Sequence, residues 1–222
     1  MLEYFKRQIE LWGEETQQNL QTKKIAVIGA GGLGSSLCFA LGAVGIGEIH
    51  IIDFDEVSLH NIHRQIAFKL EDEGKNKAKV NAEVIKQKSP YTKAFWYDED
   101  FQKWTKRDIK VDILIDATDN LQTRAEIDRY AKKKNIPWVY GSVEAFNGQV
   151  CFFDKAEFED FFKVTNRKPA GISAPIVMHI ASLQANLALR YLCDMSVKKD
   201  FVYYLYFNND GELITQKFNI SG

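Results

Sequence analysis

The sequence is poor in the residues that bind metals or form disulfides, and this limits the chemistry it can carry. Its 222 residues include three cysteines and four histidines. The cysteines form no C-x-x-C pair and no cluster with the histidines at metal-ligand spacing, so we expect no structural zinc. Because Cys38, Cys151 and Cys193 are odd in number and widely spaced, we interpret them as reduced thiols of a cytoplasmic protein.

The sequence also lacks a dominant charge and any long apolar run. Its formal net charge is −1, so no bulk basic field is present to hold a nucleic-acid backbone, and a nucleic-acid partner is disfavoured. No run approaches the roughly 18 apolar residues that span a bilayer, and the N-terminal residues lack a basic stretch followed by an apolar core. We therefore expect neither a membrane segment nor a signal peptide.

Apolar runs that are typical of strands alternate with helical patterns along most of the chain. Predicted strands lie at 25–28, 93–96, 111–116 and 137–143, and a further one lies in a second apolar run that ends at Asp53. Predicted helices lie at 74–88 and 120–135. This alternation favours a Rossmann-like α/β fold with a mostly parallel central sheet and flanking helices. The near-continuous apolar run at 111–116 is typical of a buried parallel strand.

The two ends of the chain depart from this alternation. Residues 1–23 show helical periodicity interrupted at Gly13, which predicts an N-terminal helical arm. From residue 148 onward, the pattern predicts a strand at 148–153, a long helix at 175–192 and an antiparallel hairpin at 202–218 that extends the sheet. Because no linker, repeat or low-complexity segment separates these regions, we expect a single domain over residues 1–222.

A glycine-rich loop follows the first predicted strand. It contains Gly29, Gly31 and Gly34 at G-x-G-x-x-G spacing, with Gly32 inside it, and Asp53 follows 19 positions after the third of these glycines. This arrangement between a strand and a helix is typical of a βαβ unit that binds a nucleotide. The loop amides and the helix N-terminus favour phosphate, and Asp53 at the end of the second strand is placed to accept hydrogen bonds from ribose hydroxyls.

Polar and basic residues just beyond Asp53 make the prediction more specific. Asn61, Arg64 and Gln65 follow the acid closely, and Lys77 lies at the predicted helix 74–88. A forked guanidinium and an ammonium group offset the charge that builds up on a triphosphate during phosphoryl or adenylyl transfer. The alternative hypothesis from another enzyme class is an NAD-dependent oxidoreductase. That hypothesis gives no role to Arg64 and Lys77.

The segment Asp116-Ala117-Thr118-Asp119-Asn120 ends the buried strand at 111–116. Ligands of open α/β sheets bind at the carboxyl ends of the strands, and a carboxylate there can hold Mg²⁺ against nucleotide phosphates. We therefore regard Asp119 as a candidate magnesium ligand. The alternative is that Thr118, Asp119 or Asn120 caps the helix that follows.

Taken together, these motifs identify a resemblance to a known family. The combination of RQIELWG, GAGGLGSS, DFDEVSLHNIHRQ, DATDN and AGISAP…SLQA resembles the ThiF/MoeB-type adenylyltransferases, which are bacterial relatives of ubiquitin-activating enzymes, from about Tyr4 to Leu192. The resemblance implies that Mg·ATP adenylates the C-terminal glycine carboxylate of a small ubiquitin-like sulfur carrier that ends in Gly-Gly, with release of pyrophosphate. Such carriers serve thiamine, molybdopterin or related sulfur-transfer pathways.

The resemblance also assigns roles to individual residues. It implies an ATP site formed by Gly29, Gly31, Gly32, Gly34, Asp53, Asn61, Arg64, Gln65, Lys77, Asp119 and Asn120. Within this set Arg64, Lys77 and Asp119 would be catalytic, and Asp119 would coordinate Mg²⁺. Arg7 matches a family arginine that reaches the ATP of the neighbouring subunit, which implies a homodimer with composite sites. Residues 148–222 would bind the carrier.

The sequence departs from the family pattern in its cysteines. It lacks the two C-x-x-C pairs of many members, and the stretch 166–169 has no thiol where some members form a covalent link with the carrier. We expect Cys38 and Cys193 to be buried apolar residues and Cys151 to be structural. The adenylate would then be attacked by a sulfur donor or partner enzyme, and the sequence does not identify the carrier, the donor or the pathway.

Two questions stay open at this stage. The segment 154–162 is either a crossover loop that covers the tail of the carrier or a surface helix with a buried edge. The adenylated substrate is a carrier protein in the leading hypothesis, with a peptide or a tRNA base as the alternative. A non-catalytic partner subunit is a further reading, but such subunits usually lose the residues that are present here.

Overall fold

A computed structural model describes residues 3–163 and 171–220 of the chain. The strands, in chain order, are β1 (Lys24–Ile28), β2 (Glu48–Ile52), β3 (Lys93–Tyr97), β4 (Ile113–Asp116), β5 (Trp138–Glu144), β6 (Asn147–Phe153), β7 (Phe201–Phe207) and β8 (Leu213–Asn219). The α-helices are α1 (Lys6–Trp12), α2 (Glu14–Leu20), α3 (Gly32–Leu41), α4 (Lys77–Lys88), α5 (Phe101–Thr105), α6 (Leu121–Lys134), α7 (Phe158–Phe161) and α8 (Ala174–Leu192).

The strands of this described part form one sheet in the order β3-β2-β1-β4-β5-β6-β7-β8. The first five strands in this order are parallel, with Ile25 of β1 between Ile49 of β2 and Ile113 of β4. Because parallel strands connected by crossover segments place all their carboxyl ends at one edge, the loops after β1, β2 and β4 are brought together there. The predicted Rossmann-like fold with a mostly parallel sheet is confirmed.

The last three strands are antiparallel and lengthen the sheet. β5 pairs with β6, β6 with β7, and β7 with β8, so the closing hairpin forms the outer end of the sheet as predicted. Its apolar residues are divided between interior and surface. Val202 and Leu205 are buried, whereas Phe207 and Phe218 are about half exposed. The hairpin therefore contributes to the core and also leaves apolar side chains at the surface.

Successive residues of the central strands face two separate cores. Ile25 and Val27 of β1 pack on the side of α3, α4 and α8, whereas Ala26 and Ile28 pack on the side of α5, α6 and α7. This two-sided burial is the reason that these strands are apolar at nearly every position. Among the described residues, no helix is long and apolar enough to cross a membrane.

The N-terminal arm packs against the body of the protein through a few residues. Gly13 separates α1 from α2, and Phe5 and Gln17 are fully buried. The side-chain amides of Gln8 and Gln17 donate to the carbonyl oxygen of Val44 at 2.8 and 3.0 Å. The arm is therefore held on the turn between α3 and β2, although α1 itself buries no side chain.

Some predicted boundaries differ from the structure for local reasons. The helix expected from residue 74 begins at Lys77, because Gly74 has a positive φ of 77° and Asn76 caps the helix by accepting from the Lys79 amide. The helix expected at 120–135 is bounded by its own caps, with Asn120 before it and the left-handed Asn135 after it. Helix α5 was not predicted, since five residues are too few to show a helical period.

The segment after β6 contains the short helix α7. Phe158 of this helix is fully buried, and Glu159 forms a surface ion pair with Arg129 at 2.6 Å. For residues 154–162, a surface helix with a buried edge is therefore the correct alternative. The thiol-free stretch 166–169 lies outside the described residues.

A buried carboxylate joins three of these elements and gives a test of the fold. Asp128 of α6 accepts from Trp138 Nε1 and from the Phe158 amide, each at 3.0 Å, and from Lys132 Nζ at 2.8 Å. Because D128A leaves two buried donors without a partner, we expect it to lower the free energy of unfolding by about 2–4 kcal/mol in urea titrations. K132A removes only a partly exposed partner, and we expect a loss of about 1 kcal/mol. Equal losses in the two variants would contradict this assignment.

Candidate nucleotide site

The loops that follow β1, β2 and β4 meet at the carboxyl edge of the parallel sheet. The Gly29 amide donates to Ile52 O at 2.8 Å, and the Ala117 amide donates to Ile28 O at 2.7 Å. Each loop is thus hydrogen-bonded to the end of the neighbouring strand. This edge is the place where open α/β sheets bind their ligands, and the site residues predicted from the sequence, apart from Arg7, lie on the loops and helix ends around it.

The glycine loop is packed too closely for side chains at two of its positions. Gly29 has a φ of 97°, and a β-carbon there would lie 2.5 Å from Ala117 O. A β-carbon at Gly34 would collide with the carbonyl oxygen of Gly29. These two glycines are therefore required by the packing of the loop on the end of β4 and on α3, whatever their contact with phosphate.

Helix α3 presents its N-terminus in this loop. Gly31 is the N-cap residue and makes no side-chain cap hydrogen bond, and the helix begins at Gly32. The amides of a first helical turn have no partner inside the helix, so this end favours an anion. Gln65 Nε2 would lie 3.3 Å from a β-carbon at Gly31, and Val177 of α8 would be 2.9 Å from one at Gly32.

Asp53 is fixed against the glycine loop. Its Oδ2 accepts from the Ala30 amide at 2.6 Å, and its Oδ1 accepts from the Asp55 amide at 2.8 Å. Burial raises the pKa of the Asp53 carboxyl, and the two amide hydrogen bonds and nearby Lys77 act against this rise. The carboxylate thus has a fixed position beside the loop that begins the nucleotide motif.

Lys77 lies next to Asp53 although 24 positions separate them in the sequence. Its side chain is only 7% exposed, and Nζ contacts Asp55 Oδ2 at 2.8 Å. The Lys77 amide donates to Asp55 O at 2.9 Å, which fixes the first turn of α4 on the segment after β2. Asn81 of the same helix donates to Ala30 O at 3.1 Å, so α4 also contacts the glycine loop.

Arg64 and Gln65 follow a 3₁₀ turn at Leu59–Asn61. The Arg64 guanidinium donates to Asn61 Oδ1 at 2.8 Å and contacts His63 Nε2 at 2.9 Å, so it is held within its own turn. The backbone of Arg64 lies on the glycine loop, with its carbonyl oxygen 3.7 Å from the position of a β-carbon at Gly32. Gln65 Oε1 is buried and has no hydrogen-bond partner among the described residues.

The loop after β4 is held by a buried ion pair. Asp116 is fully buried, and its Oδ1 accepts from the Thr118 amide at 2.9 Å and from Thr118 Oγ1 at 2.6 Å. Arg124 Nε donates to Asp116 Oδ2 at 3.0 Å, and Arg124 Nη2 donates to Thr118 O at 2.6 Å. Burial raises the pKa of the Asp116 carboxyl, and Arg124 and Thr118 oppose that rise.

Asp119 and Asn120 take different roles in this loop. Asn120 Oδ1 accepts from the Thr123 amide at 2.8 Å, so Asn120 is the cap of α6. Asp119 is exposed and makes no hydrogen bond or ion pair with another described residue. Of the alternatives that the sequence left open, the structure selects Asn120 as the cap, and the Asp119 carboxylate has no hydrogen-bond or ion-pair partner within residues 3–163 and 171–220.

The donor set is compatible with a magnesium ion that is shared with a nucleotide. No group of three or more His, Cys, Asp or Glu side chains close enough to hold a metal occurs in residues 3–163 and 171–220. Mg²⁺ is commonly bound by one or two carboxylates together with water and substrate phosphates. The exposed carboxylate of Asp119, which has no partner among the described residues, fits that mode and does not fit an all-protein metal site.

Arg7 lies apart from the other predicted site residues. Its side chain is 90% exposed on α1 and pairs with Glu10 at 2.8 Å. None of its described contacts is with the glycine loop, Lys77 or Asp119. The role that the resemblance implies for Arg7 depends on a second subunit and stays a prediction.

Three residues at the site were not singled out from the sequence. Asp55 pairs with Lys77, Asn81 bonds to the glycine loop, and Arg124 fixes the loop that carries Asp119. Asp55 could have been identified from the sequence, because it is the second acidic residue of Asp53-Phe54-Asp55, directly after a predicted strand. Asn81 and Arg124 lie inside polar helices, where nothing in the residue type distinguishes them from solvated positions.

The cysteines lie away from any exposed surface, as predicted. Cys38, Cys151 and Cys193 are all free thiols and all buried. Burial raises the pKa of Cys38 to about 12 and also raises the pKa values of the other two thiols. Since the thiolate is the nucleophile, none of the three is suited to attack an adenylate in this conformation.

Comparison with known proteins gives a consistent family match. The family model described as "ThiF family" matches residues 5–221. The chain is 31% identical over 203 residues to "Adenylyltransferase and sulfurtransferase MOCS3" of Caenorhabditis briggsae, which covers 85% of this chain and 50% of that protein. It is 29% identical over 187 residues to "Sulfur carrier protein ThiS adenylyltransferase" of Escherichia coli (strain K12), which covers 79% of this chain and 74% of that protein.

The fold has counterparts among solved structures. A crystal structure of E. coli MccB with ATP superposes with a TM-score of 0.83 at 19% sequence identity, over 98% of this chain and 71% of that one. At this identity the likeness concerns the fold alone. The chain spans about half the length of the C. briggsae relative, in agreement with the 50% coverage above.

The buried thiols lead to a direct test. We expect none of the three cysteines to react with 5,5′-dithiobis(2-nitrobenzoate) in the folded protein at pH 8, because burial excludes the reagent and raises the pKa of each thiol. In guanidinium chloride all three should react. Rapid reaction of one thiol in the folded protein would contradict the assignment and would identify a candidate nucleophile.

Proposed function

The chain belongs to the ThiF family, and from this premise we propose that it is an ATP-dependent adenylyltransferase. The proposed substrate is the C-terminal glycine carboxylate of a small ubiquitin-like sulfur-carrier protein ending in Gly-Gly. The names of the relatives support this choice, since one is a sulfur carrier protein adenylyltransferase and another an adenylyltransferase and sulfurtransferase. The products would be the carrier adenylate and pyrophosphate.

One observation carries the proposal. Segments far apart in the sequence contribute a helix N-terminus at Gly31, a buried ammonium group at Lys77 and an exposed carboxylate at Asp119 to one edge of the sheet. An anion-binding helix end beside a buried cation fits a phosphate chain. A carboxylate on a loop at the same edge of the sheet fits the metal that accompanies such a chain. A dinucleotide oxidoreductase needs neither the buried ammonium group nor the carboxylate.

The proposed adenylation requires screening of the negative charges on the carrier carboxylate and the ATP phosphates more than it requires proton transfer. A carrier carboxylate is ionised at neutral pH and attacks the α-phosphorus directly, and pyrophosphate leaves as the bond to the bridging oxygen breaks. Since two anions approach one another, cationic groups must reduce their repulsion. Lys77 and the amides of α3 would bind the phosphates, and Arg64 would join them by leaving Asn61. No general base is needed.

Magnesium completes the proposed site. Asp119 would hold the ion beside Asn120, and the ion would neutralise phosphate charge when bound. The chain's own contribution is to fix the position of that carboxylate. Asp116 and Arg124 hold Thr118 on one side of Asp119, and the helix cap at Asn120 holds the other side.

The carrier would bind on residues 148–222. In this region β6, β7 and β8 form an antiparallel surface at the end of the sheet, with Phe207, Leu213 and Phe218 each about half exposed. Apolar side chains at the rim of a sheet are suited to contact a small folded partner. We place the site of sulfur transfer outside this chain, on a donor or partner enzyme, because its cysteines are buried. Reduced, buried thiols also fit the expected cytoplasmic location.

We further propose a homodimer in which Arg7 of one subunit reaches the nucleotide of the other. The 90% exposed Arg7 side chain and the 71% exposed Leu11 both lie on α1, a helix that buries no side chain of its own. A helix with these features is available for contact with a second subunit. The net charge of −1 gives no support to a tRNA substrate, and a peptide substrate is an outcome of the test below.

The proposed reaction is tested by carrier-dependent exchange of radioactive pyrophosphate into ATP. With a panel of small carriers that end in Gly-Gly, we expect exchange with one carrier and a loss of about 10²–10³-fold in K77A, because a cation facing the phosphates is removed. K79A, on the exposed side of the same helix, should exchange at the wild-type rate. Mg·ATP binding without exchange for any carrier would exclude a carrier substrate and favour a peptide or tRNA.

The composite site is tested by mixing two inactive variants. R7A and K77A should each be inactive as homodimers, whereas a mixed dimer has one site with both residues intact. After subunit exchange at equal concentrations, we expect about one quarter of the wild-type exchange activity, since half of the dimers are mixed and each has one working site. No recovery on mixing, or a fully active monomer in analytical ultracentrifugation, would exclude the role of Arg7 across the interface.

A further inference from the structure

Lys77 is the most deeply buried lysine among the ion pairs of the described residues. Its side chain is 7% exposed, whereas the lysines of the other carboxylate pairs are 27% to 75% exposed. A buried ammonium group needs a compensating anion, because removal from water disfavours its charge. In the described structure that anion is Asp55, whose Oδ2 lies 2.8 Å from Nζ.

The two partners of this pair differ in their access to water. The Asp55 side chain is 53% exposed, against 7% for Lys77. Asp55 can therefore turn its carboxylate into solvent at little cost, whereas Lys77 stays where it is. If an anionic ligand approaches Lys77 Nζ, Asp55 is the group that moves.

The Asp55–Lys77 pair lies beside Asp53 and the glycine loop, where an anionic ligand is proposed to bind. The Asp55 amide donates to Asp53 Oδ1, and Asp53 Oδ2 accepts from the Ala30 amide of the glycine loop. Burial raises the pKa of the Asp53 carboxyl, the ammonium of Lys77 opposes that rise and the carboxylate of Asp55 adds to it, so the three charges interact. Asp55 thus adds negative charge at a site that is proposed to receive phosphates.

We propose that Asp55 is the resident counter-ion of Lys77 and is displaced from it by a phosphate group when the nucleotide binds. This inference rests on the proposed function for the identity of the nucleotide. Asp55 compensates the buried charge of Lys77 in the free protein and competes with the phosphate for the same Nζ. Nucleotide affinity is therefore set below the value that Lys77 alone would give.

Displacement of Asp55 by a phosphate group predicts that one substitution beside the site strengthens ATP binding. Asp55→Asn keeps the shape of the side chain but removes the competing charge, so ATP should bind about three- to tenfold more tightly by isothermal titration calorimetry. The free protein should melt at a lower temperature, because Lys77 loses its counter-ion. The increase in melting temperature on addition of ATP should be larger in the variant than in the wild type.

Asp98→Asn is the matched control. Asp98 is exposed, and its carboxylate contacts Asn76 Nδ2 at 3.3 Å and is not paired with Lys77. This variant removes the same charge from the same neighbourhood, so it should leave ATP affinity within about twofold of the wild type. In a Lys77→Gln background, Asp55→Asn should no longer tighten binding, because the group for which Asp55 competes is absent.

The outcomes separate this inference from the proposed function. Unchanged or weaker ATP binding in Asp55→Asn would overturn the displacement of Asp55 by phosphate and leave the proposed function intact. An equal gain in ATP affinity in Asp98→Asn would do the same. Absence of ATP binding by the wild-type protein overturns both. Asp55→Ser removes the same charge and serves in place of Asp55→Asn if that variant does not fold.

Discussion

The close approach of the glycine loop to the end of β4 is the constraint on which the site depends. Gly29 is hydrogen-bonded to Ile52 O and leaves no room for a β-carbon beside Ala117 O. Because β1 lies between β2 and β4, this contact brings the loops of all three strands to one small area. The N-terminus of α3 and the loop that carries Asp119 lie at the same edge of the sheet as a consequence. A wider loop would separate the N-terminus of α3 from the loop that carries Asp119.

Two ion pairs at this edge have opposite characters. Asp116 and Arg124 are 0% and 6% exposed and hydrogen-bonded on every side, so this pair is closed and fixes the backbone that carries Asp119. Asp55 and Lys77 are 53% and 7% exposed, so one partner can leave. A rigid pair suits a residue that must hold its position, and an asymmetric pair suits a cation that must change partners.

The rest of the molecule is consistent with a domain that activates a substrate and passes it on. The cysteines are buried and have raised pKa values, so the chain offers no nucleophile of its own for sulfur chemistry. The sheet is extended by the hairpin of β7 and β8, which leaves apolar side chains at its outer end. Arg7 projects from a helix that has no fully buried residue. In the proposed function, each of these features acts through contact with another protein.

The sequence by itself determined the strand and helix alternation, the glycine loop and the family, because apolar period and glycine spacing are local properties. It also identified Lys77 and Asp119 as candidate site residues. Only the tertiary structure decided which charges pair, since Asp55 with Lys77 and Asp116 with Arg124 depend on how strands and helices meet. The cap at Asn120 was likewise open until the loop geometry was known. A pattern of residues records which groups are present, whereas burial and orientation decide which of them a ligand can reach.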